Sequence, residues 1–303
     1  MSVIPALPQH AVPIISGFDY VAIDVKRRRV YAAHSASSAL TVVDADTGDV
    51  LGQIDVGGQM SGVAVDPATG MVYTGDGPGR TVSKVDPKSM RVIANVAVDG
   101  PVDATAYDPK LGRIYADEDN GTRIFVIDAK TMRHVADVAL PGHKPEYLAI
   151  DPATHAVYQN IADRNEIAVI DPTTLRVTRT IATPGVVNNH PLQFDAEFGQ
   201  IVVAGKNGVM AAYVPDGTLV GRVKVQPGID QCSLEPTTHT LACAGDHGIE
   251  VLRLRKGAAP QVIGRAKADP DVHTVGIDSK TMRLWIVWAG KKGDFVQALR
   301  LSQ

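Results

Sequence analysis

The sequence predicts an all-β fold, a seven-bladed β-propeller of four-stranded antiparallel blades, closed by pairing of an N-terminal strand with the C-terminal blade. Three observations predict it. A hydrophobic run ending in an acid recurs seven times at nearly constant spacing. The stretches between these runs read as strands, with no helical stripe. The last repeat runs out of chain one strand early, while a spare strand stands ahead of the first.

The repeated segments are VAID at Asp24, VAVD at Asp66, TAYD at Asp108, LAID at Asp151, LQFD at Asp195, CSLE at Glu235 and VGID at Asp278, at intervals of 42, 42, 43, 44, 40 and 43 residues. A period of about 42 residues holding four short strands is a propeller blade. Seven periods make one ring, so residues 1–303 are expected to form a single domain.

Within each unit the first strand ends at the acid and turn residues follow, as in Asp66-Pro67-Ala68-Thr69-Gly70. Asp at such a place accepts backbone N–H groups and holds the hairpin. That job explains an acid in every unit better than catalysis does. The second strand carries Tyr31, Tyr73, Tyr115, Tyr158 or Trp285 seven residues after the acid; Val202 and Ala242 stand there in the other two units. The third strand ends at Asp44, Asp86, Asp128 or Asp171, twenty residues after the first acid. Near-continuous apolar runs such as TVVD and IFVID call for burial on both faces, which stacked blades provide. The last unit has VGID, RLWIVW and FVQALRL but no fourth strand, and roughly Pro8 to Ile14 supplies it. Pro8 and Pro13 suit an outermost strand, where a missing N–H costs little.

The segments VYAA (30–33), VYTG (72–75), IYAD (114–117) and VYQN (157–160), preceded by turns like VAVDPATG, resemble the YVTN-type (YncE-like) repeat of bacterial seven-bladed propellers. The resemblance covers about 280 residues. It implies the propeller fold and a periplasmic or extracellular protein whose leader has been removed. It implies no particular activity. VVAG, ACAG and WIVW in units five to seven depart from the pattern, and such departures are where function is grafted.

Composition excludes several classes. Hydrophobic residues are 45% and charged residues 21%, the proportions of a globular protein with a real core. Thirty basic against thirty-three acidic residues leave a net charge of −3, with no basic excess for nucleic acid. No apolar run is long enough for a membrane span. The start Met1-Ser2-Val3-Ile4-Pro5 lacks the charged leader of a signal peptide. By itself this fits either a cytoplasmic protein or a mature terminus. P-loop, HExxH, GxSxG and CxxC motifs are absent from the sequence.

Candidate site residues come from the column five places before each acid, where the chain reaches the channel mouth. Around the ring it reads Asp19, Ser61, Asp103, Glu146, His190, Asp230 and His273. Six of the seven are Asp, Glu or His, types that supply only 33 and 9 of 303 residues. The neighbouring loop on the same face adds His34, Asp76 and Glu118, each ten residues after its acid. Converging carboxylates repel unless a proton, a cation or a basic ligand sits among them. Asp19, Asp103, Glu146, Asp230, Asp76 and Glu118 are therefore expected to bind ligand. His190 and His273 are the expected nitrogen donors to one divalent or transition metal ion. The competing reading is a hydrated acidic rim that caps strand ends. His34 is the candidate general base, or otherwise a surface loop histidine. The basic run Lys26-Arg27-Arg28-Arg29 falls on the opposite face and reads as a solvated turn.

If Asp66 pairs with Met71 across its turn, the same register sets Cys232 opposite Cys243 in unit six. Opposed residues lie about 4.5–5.5 Å apart at Cα, within disulfide reach. Two small thiols filling space between blades are the preferred reading, and a disulfide is the alternative.

Two functions fit these features. The first is a monomeric, non-enzymatic scaffold that binds a small ligand, a metal ion or a protein loop at the channel mouth. The second is a metal-dependent hydrolase or lyase acting on a lactone or ester-like substrate, or a copper redox enzyme. There the metal, held by His190 and His273, polarises a carbonyl or activates water.

Overall fold

Alternation of short strands and tight turns leaves the chain one economical solution, a closed ring of radial sheets. A computed structural model describes residues 2–13, 16–268 and 272–302, and every regular element among them is a strand. Blade 1 comprises Val21–Asp24, Arg29–Ala33, Ala39–Asp44 and Val50–Asp55; blade 2 comprises Met60–Val65, Val72–Asp76, Thr81–Asp86 and Arg91–Ala97. Blade 3 is Val102–Asp108, Arg113–Glu118, Arg123–Asp128 and Arg133–Ala139; blade 4 is Pro145–Ile150, Val157–Ile161, Glu166–Asp171 and Arg176–Ala182. Blade 5 is Asn189–Asp195, Gln200–Gly205, Val209–Tyr213 and Leu219–Lys224; blade 6 is Cys232–Glu235, Thr240–Gly245, Gly248–Arg255 and Ala258–Ala266. Blade 7 has Val275–Asp278, Arg283–Gly290 and Gly293–Leu301.

The ring closes as expected, and more extensively. His10–Val12 pairs antiparallel with Asp294–Val296, and Val3–Pro5 pairs with Leu299–Leu301 on the same edge. Two short N-terminal strands thus share the role given to Pro8–Ile14, of which Ile14 lies outside the described residues. Val3 and Val12 are buried against blade 7 and its neighbours.

The core lies between blades. Tyr31, Tyr115 and Trp285 are wholly buried, and Tyr73 and Tyr158 nearly so. The repeated acids hold their turns as their side chains dictate. Asp66 accepts the N–H of Ala68 at 2.9 Å, Asp108 those of Lys110 and Leu111 at 2.9 and 3.0 Å, and Asp151 that of Ala153 at 2.8 Å.

A second bond links successive blades where the fifth residue of the turn is basic. Arg28 in blade 1 donates to both oxygens of Asp278 in blade 7, at 2.8 and 2.6 Å. His155 in blade 4 reaches Asp108 in blade 3 at 2.9 Å, and His239 in blade 6 reaches Asp195 in blade 5 at 2.7 Å. All three adopt positive φ, which turns the side chain back toward the preceding blade. The run Lys26–Arg29 is therefore more than solvated: Arg27 pairs with Asp24, Arg28 with Asp46 and Asp278, and Arg29 with Asp44.

Cys232 and Cys243 do stand opposite one another, and they form a disulfide, which corrects the preference for free thiols. The register holds their Cα atoms 4.1 Å apart with both side chains in the interior, so the sulfurs meet.

Candidate functional site at the channel mouth

The inner strands do not enter the channel regularly. In blades 2 to 5 the pairing slips between Met60 and Val63, Val102 and Thr105, Pro145 and Leu148, and Asn189 and Leu192. Each slip leaves two residues without ladder partners, and the first is Ser61, Asp103, Glu146 or His190. A bulge re-aims side chains that regular pleating would bury between sheets. In blades 1 and 6 the lead-in is held by a pair of backbone bonds: Asp19 N–H to Ala33 O at 3.0 Å with Ala33 N–H to Tyr20 O at 2.9 Å, and Asp230 N–H to Ala244 O with Ala244 N–H to Gln231 O at 2.9 Å each.

Six members of the column form one electrostatic group. His190 places Nε2 2.5 Å from Asp230 Oδ1. Its Nδ1 lies 3.1 Å from Glu146 Oε2, in ion-pair range though off line for a hydrogen bond. Lys206 also donates to Asp230. Burial raises the Asp230 carboxyl, but His190 and Lys206 overcome this and hold it below the usual carboxylate range. Asp19 is in the opposite condition. Burial, with the charges of Asp230 and Glu146, pushes its carboxyl up to about 6 against the pull of His273 and His190. Gln231 Nε2 reaches Asp19 at 3.3 Å, and Thr274 donates to Gln231 Oε1 at 2.7 Å.

Asp103 is held well above the ordinary value by burial, then by the charges of Asp117, Asp19 and Glu146. No hydrogen-bond donor meets its carboxylate among the described residues. Glu146 is likewise raised, chiefly by burial. His273 donates from Nε2 to Phe18 O at 2.6 Å, stitching blade 7 to the start of blade 1.

Three predicted residues lie elsewhere. Asp76 accepts the Gly79 N–H at 2.9 Å, and its carboxylate fills the space where side chains on Gly58 and Gly79 would stand. Glu118 likewise occupies the space beside Gly100 and Gly121, and it holds Arg123 at 2.7 and 3.1 Å. Both carboxylates brace loops, which is why neither reaches the channel group. His34 is fully buried, neither at the surface nor open to a substrate. Its ring nitrogens meet Ser16 and Thr41 hydroxyls at 2.8 Å each, and its ring packs on Phe18. Burial lowers it to about 4, partly offset by Asp294.

Sequence reasoning missed four participants. Asp117 is fully buried, accepts the Ala104 N–H at 2.6 Å and takes Gln159 Nε2 at 2.9 Å. Burial holds its carboxyl well above the usual value. Its signal was available: the equivalent places elsewhere carry Ala33, Gly75, Asn160, Ala204, Ala244 and Val287. Lys206 directly follows the divergent VVAG segment of blade 5. Tyr20 and Tyr147 directly follow Asp19 and Glu146 at the channel, and burial, with the charges of Asp103, Asp19 and Asp117, holds the Tyr20 hydroxyl well above its usual value. Although they belong to blades 1 and 4, their rings stack 5.9 Å apart across the channel. A cavity of about 280 Å³ lies alongside, lined by Tyr20, Thr105, Tyr107, Tyr147, Leu148 and Phe194 among others.

Among the described residues no three His, Cys, Asp or Glu side chains are arranged to hold a metal ion. In this arrangement both His190 nitrogens face carboxylates and His273 Nε2 is spent on a carbonyl.

No family model and no curated protein matches the chain. Solved structures do. A chain of Kuenenia stuttgartiensis hydrazine synthase superposes with a TM-score of 0.84 at 16% identity, covering 97% of this chain and 98% of that one. The Cps50 (Swd1) β-propeller domain of Myceliophteria thermophila superposes with a TM-score of 0.78 at 10% identity, covering 97% and 100%. At these identities the likeness is one of fold, and the fold is a seven-bladed propeller.

Proposed function

We propose that the chain is a non-catalytic propeller scaffold whose channel mouth binds a small positively charged ligand. The observation that carries this reading is the imbalance of the mouth. Asp19, Asp103, Glu146 and Asp230 come from four blades onto one opening, and only Asp230 has two basic groups in contact. Bringing like charges together in a partly desolvated site stabilises nothing by itself. A bound cation would supply the missing partner.

The YVTN-like repeat and the Cys232–Cys243 disulfide support a location outside the reducing cytosol. The test is isothermal titration of the purified protein with ammonium, a simple organic ammonium and Mg²⁺ as separate probes. The reading expects at least one to bind and Asp103→Asn to weaken that binding about tenfold or more. Absence of binding by every probe contradicts it.

A further inference from the structure

The chemistry of the mouth distinguishes between kinds of cation. A bare divalent ion needs several oxygen or nitrogen donors converging on a point, and no such set is formed among the described residues. An ammonium group instead takes separate, spread acceptors and tolerates an aromatic floor. The mouth offers these. Asp19 and Asp103 stand on its walls, and Asp103 has no donor among the described residues. Gln159 is fully buried next to Asp117 and Glu146, with Nε2 tied to the Asp117 carboxylate and within 3.2 Å of Glu146 O, while its Oε1 meets no donor among the described residues. An acceptor wholly out of water without a donor is costly, and native structures rarely leave one unused. The Tyr20–Tyr147 pair directly follows Asp19 and Glu146 there, with the 280 Å³ cavity beside it.

Resting on the channel-mouth reading, we infer that the ligand is an organic ammonium, its charged nitrogen set among Asp19, Asp103 and Glu146 and its apolar substituent laid against Tyr20 and Tyr147. The carboxylates supply the charge, and the tyrosines supply apolar and cation–π contact that a metal ion cannot use. Selectivity then comes from the floor, and basal affinity for cations from the walls.

The experiment compares ammonium, benzylammonium and Mg²⁺ by isothermal titration on the intact chain. Benzylammonium is expected to bind about tenfold or more tightly than ammonium, and Mg²⁺ more weakly than either. In Tyr147→Leu the preference for benzylammonium should fall to about twofold or less, whereas Asp103→Asn should weaken both ammonium probes alike. The wild-type affinity ratio needs no variant, so a poorly folded Tyr147→Leu leaves the test intact. Equal affinity for ammonium and benzylammonium, or binding of Mg²⁺ alone, overturns the inference and leaves the cation site standing. Absence of binding by all three overturns the cation site itself.

Discussion

On the turn face, Asp278 is wholly buried yet accepts two bonds from Arg28, one from Thr281 and one from the Lys280 N–H. At the channel mouth, Asp103 sits among Asp117, Asp19 and Glu146 with no donor among the described residues. Burial raises both carboxyls, but only Asp278 has partners enough to end below the usual range. Other turn acids follow Asp278: the Thr174 and Thr173 N–H groups lower Asp171, and Thr131 lowers Asp128. Mouth acids follow Asp103, as Asp19, Asp117 and Glu146 do. The same side chain holds the fold together at one face and is held against its own preference at the other.

Substitutions should therefore act in opposite directions. Asp278→Ala leaves Arg28 only partners within blade 1, among them Asp46 and the Ala45 carbonyl, and opens the joint between blades 7 and 1; it should cost about 3 kcal/mol in urea unfolding. Cation binding at the far face should survive it; a loss of binding with the fold intact would mean the two faces are coupled. Cys232→Ser with Cys243→Ser should cost about 2–3 kcal/mol, the chain-entropy value for so short a loop. A smaller cost would show that the strand pairing there suffices alone. Asp103→Asn should stabilise the chain at pH 8 by about 1–2 kcal/mol, since it removes a charge the site does not balance. His239→Leu keeps an apolar side chain beside Phe198 but removes the hydrogen bond to Asp195. It should cost about 1 kcal/mol, read by differential scanning calorimetry.

The ring was legible in the sequence because each blade must solve one problem, a tight turn between buried strands, and the same acid solves it seven times. The mouth column was legible for a related reason, since recurrent bulges in blades 2 to 5 and paired lead-ins in blades 1 and 6 give the fifth residue before the acid a similar environment. What escaped depended on contacts between blades. Tyr20 meets Tyr147 across the channel from a blade three positions away, which no local spacing encodes. Asp76 and Glu118 shared a loop with the site, but their reach was decided by glycines in the preceding connection. His34 looked like loop chemistry until Ser16, Phe18 and Thr41 enclosed it. The register of the two cysteines was readable, whereas the choice of disulfide over thiols turned on side-chain direction.

A mouth whose carboxylates exceed its own bases fixes the sign of the pH dependence. A carboxyl raised in the folded state favours folding while it is protonated, and that contribution is lost as pH rises through its folded value. For Asp19 the window runs from the ordinary 3.8 to about 6, and Asp103 and Asp117 act in the same direction. Urea unfolding of the ligand-free wild type and of Asp103→Asn, measured from pH 4 to pH 8, tests this most directly. The two should differ least at pH 4, and the advantage of Asp103→Asn should widen steadily toward pH 8. An advantage that stays flat with pH, or a variant less stable than wild type at pH 8, would contradict the account.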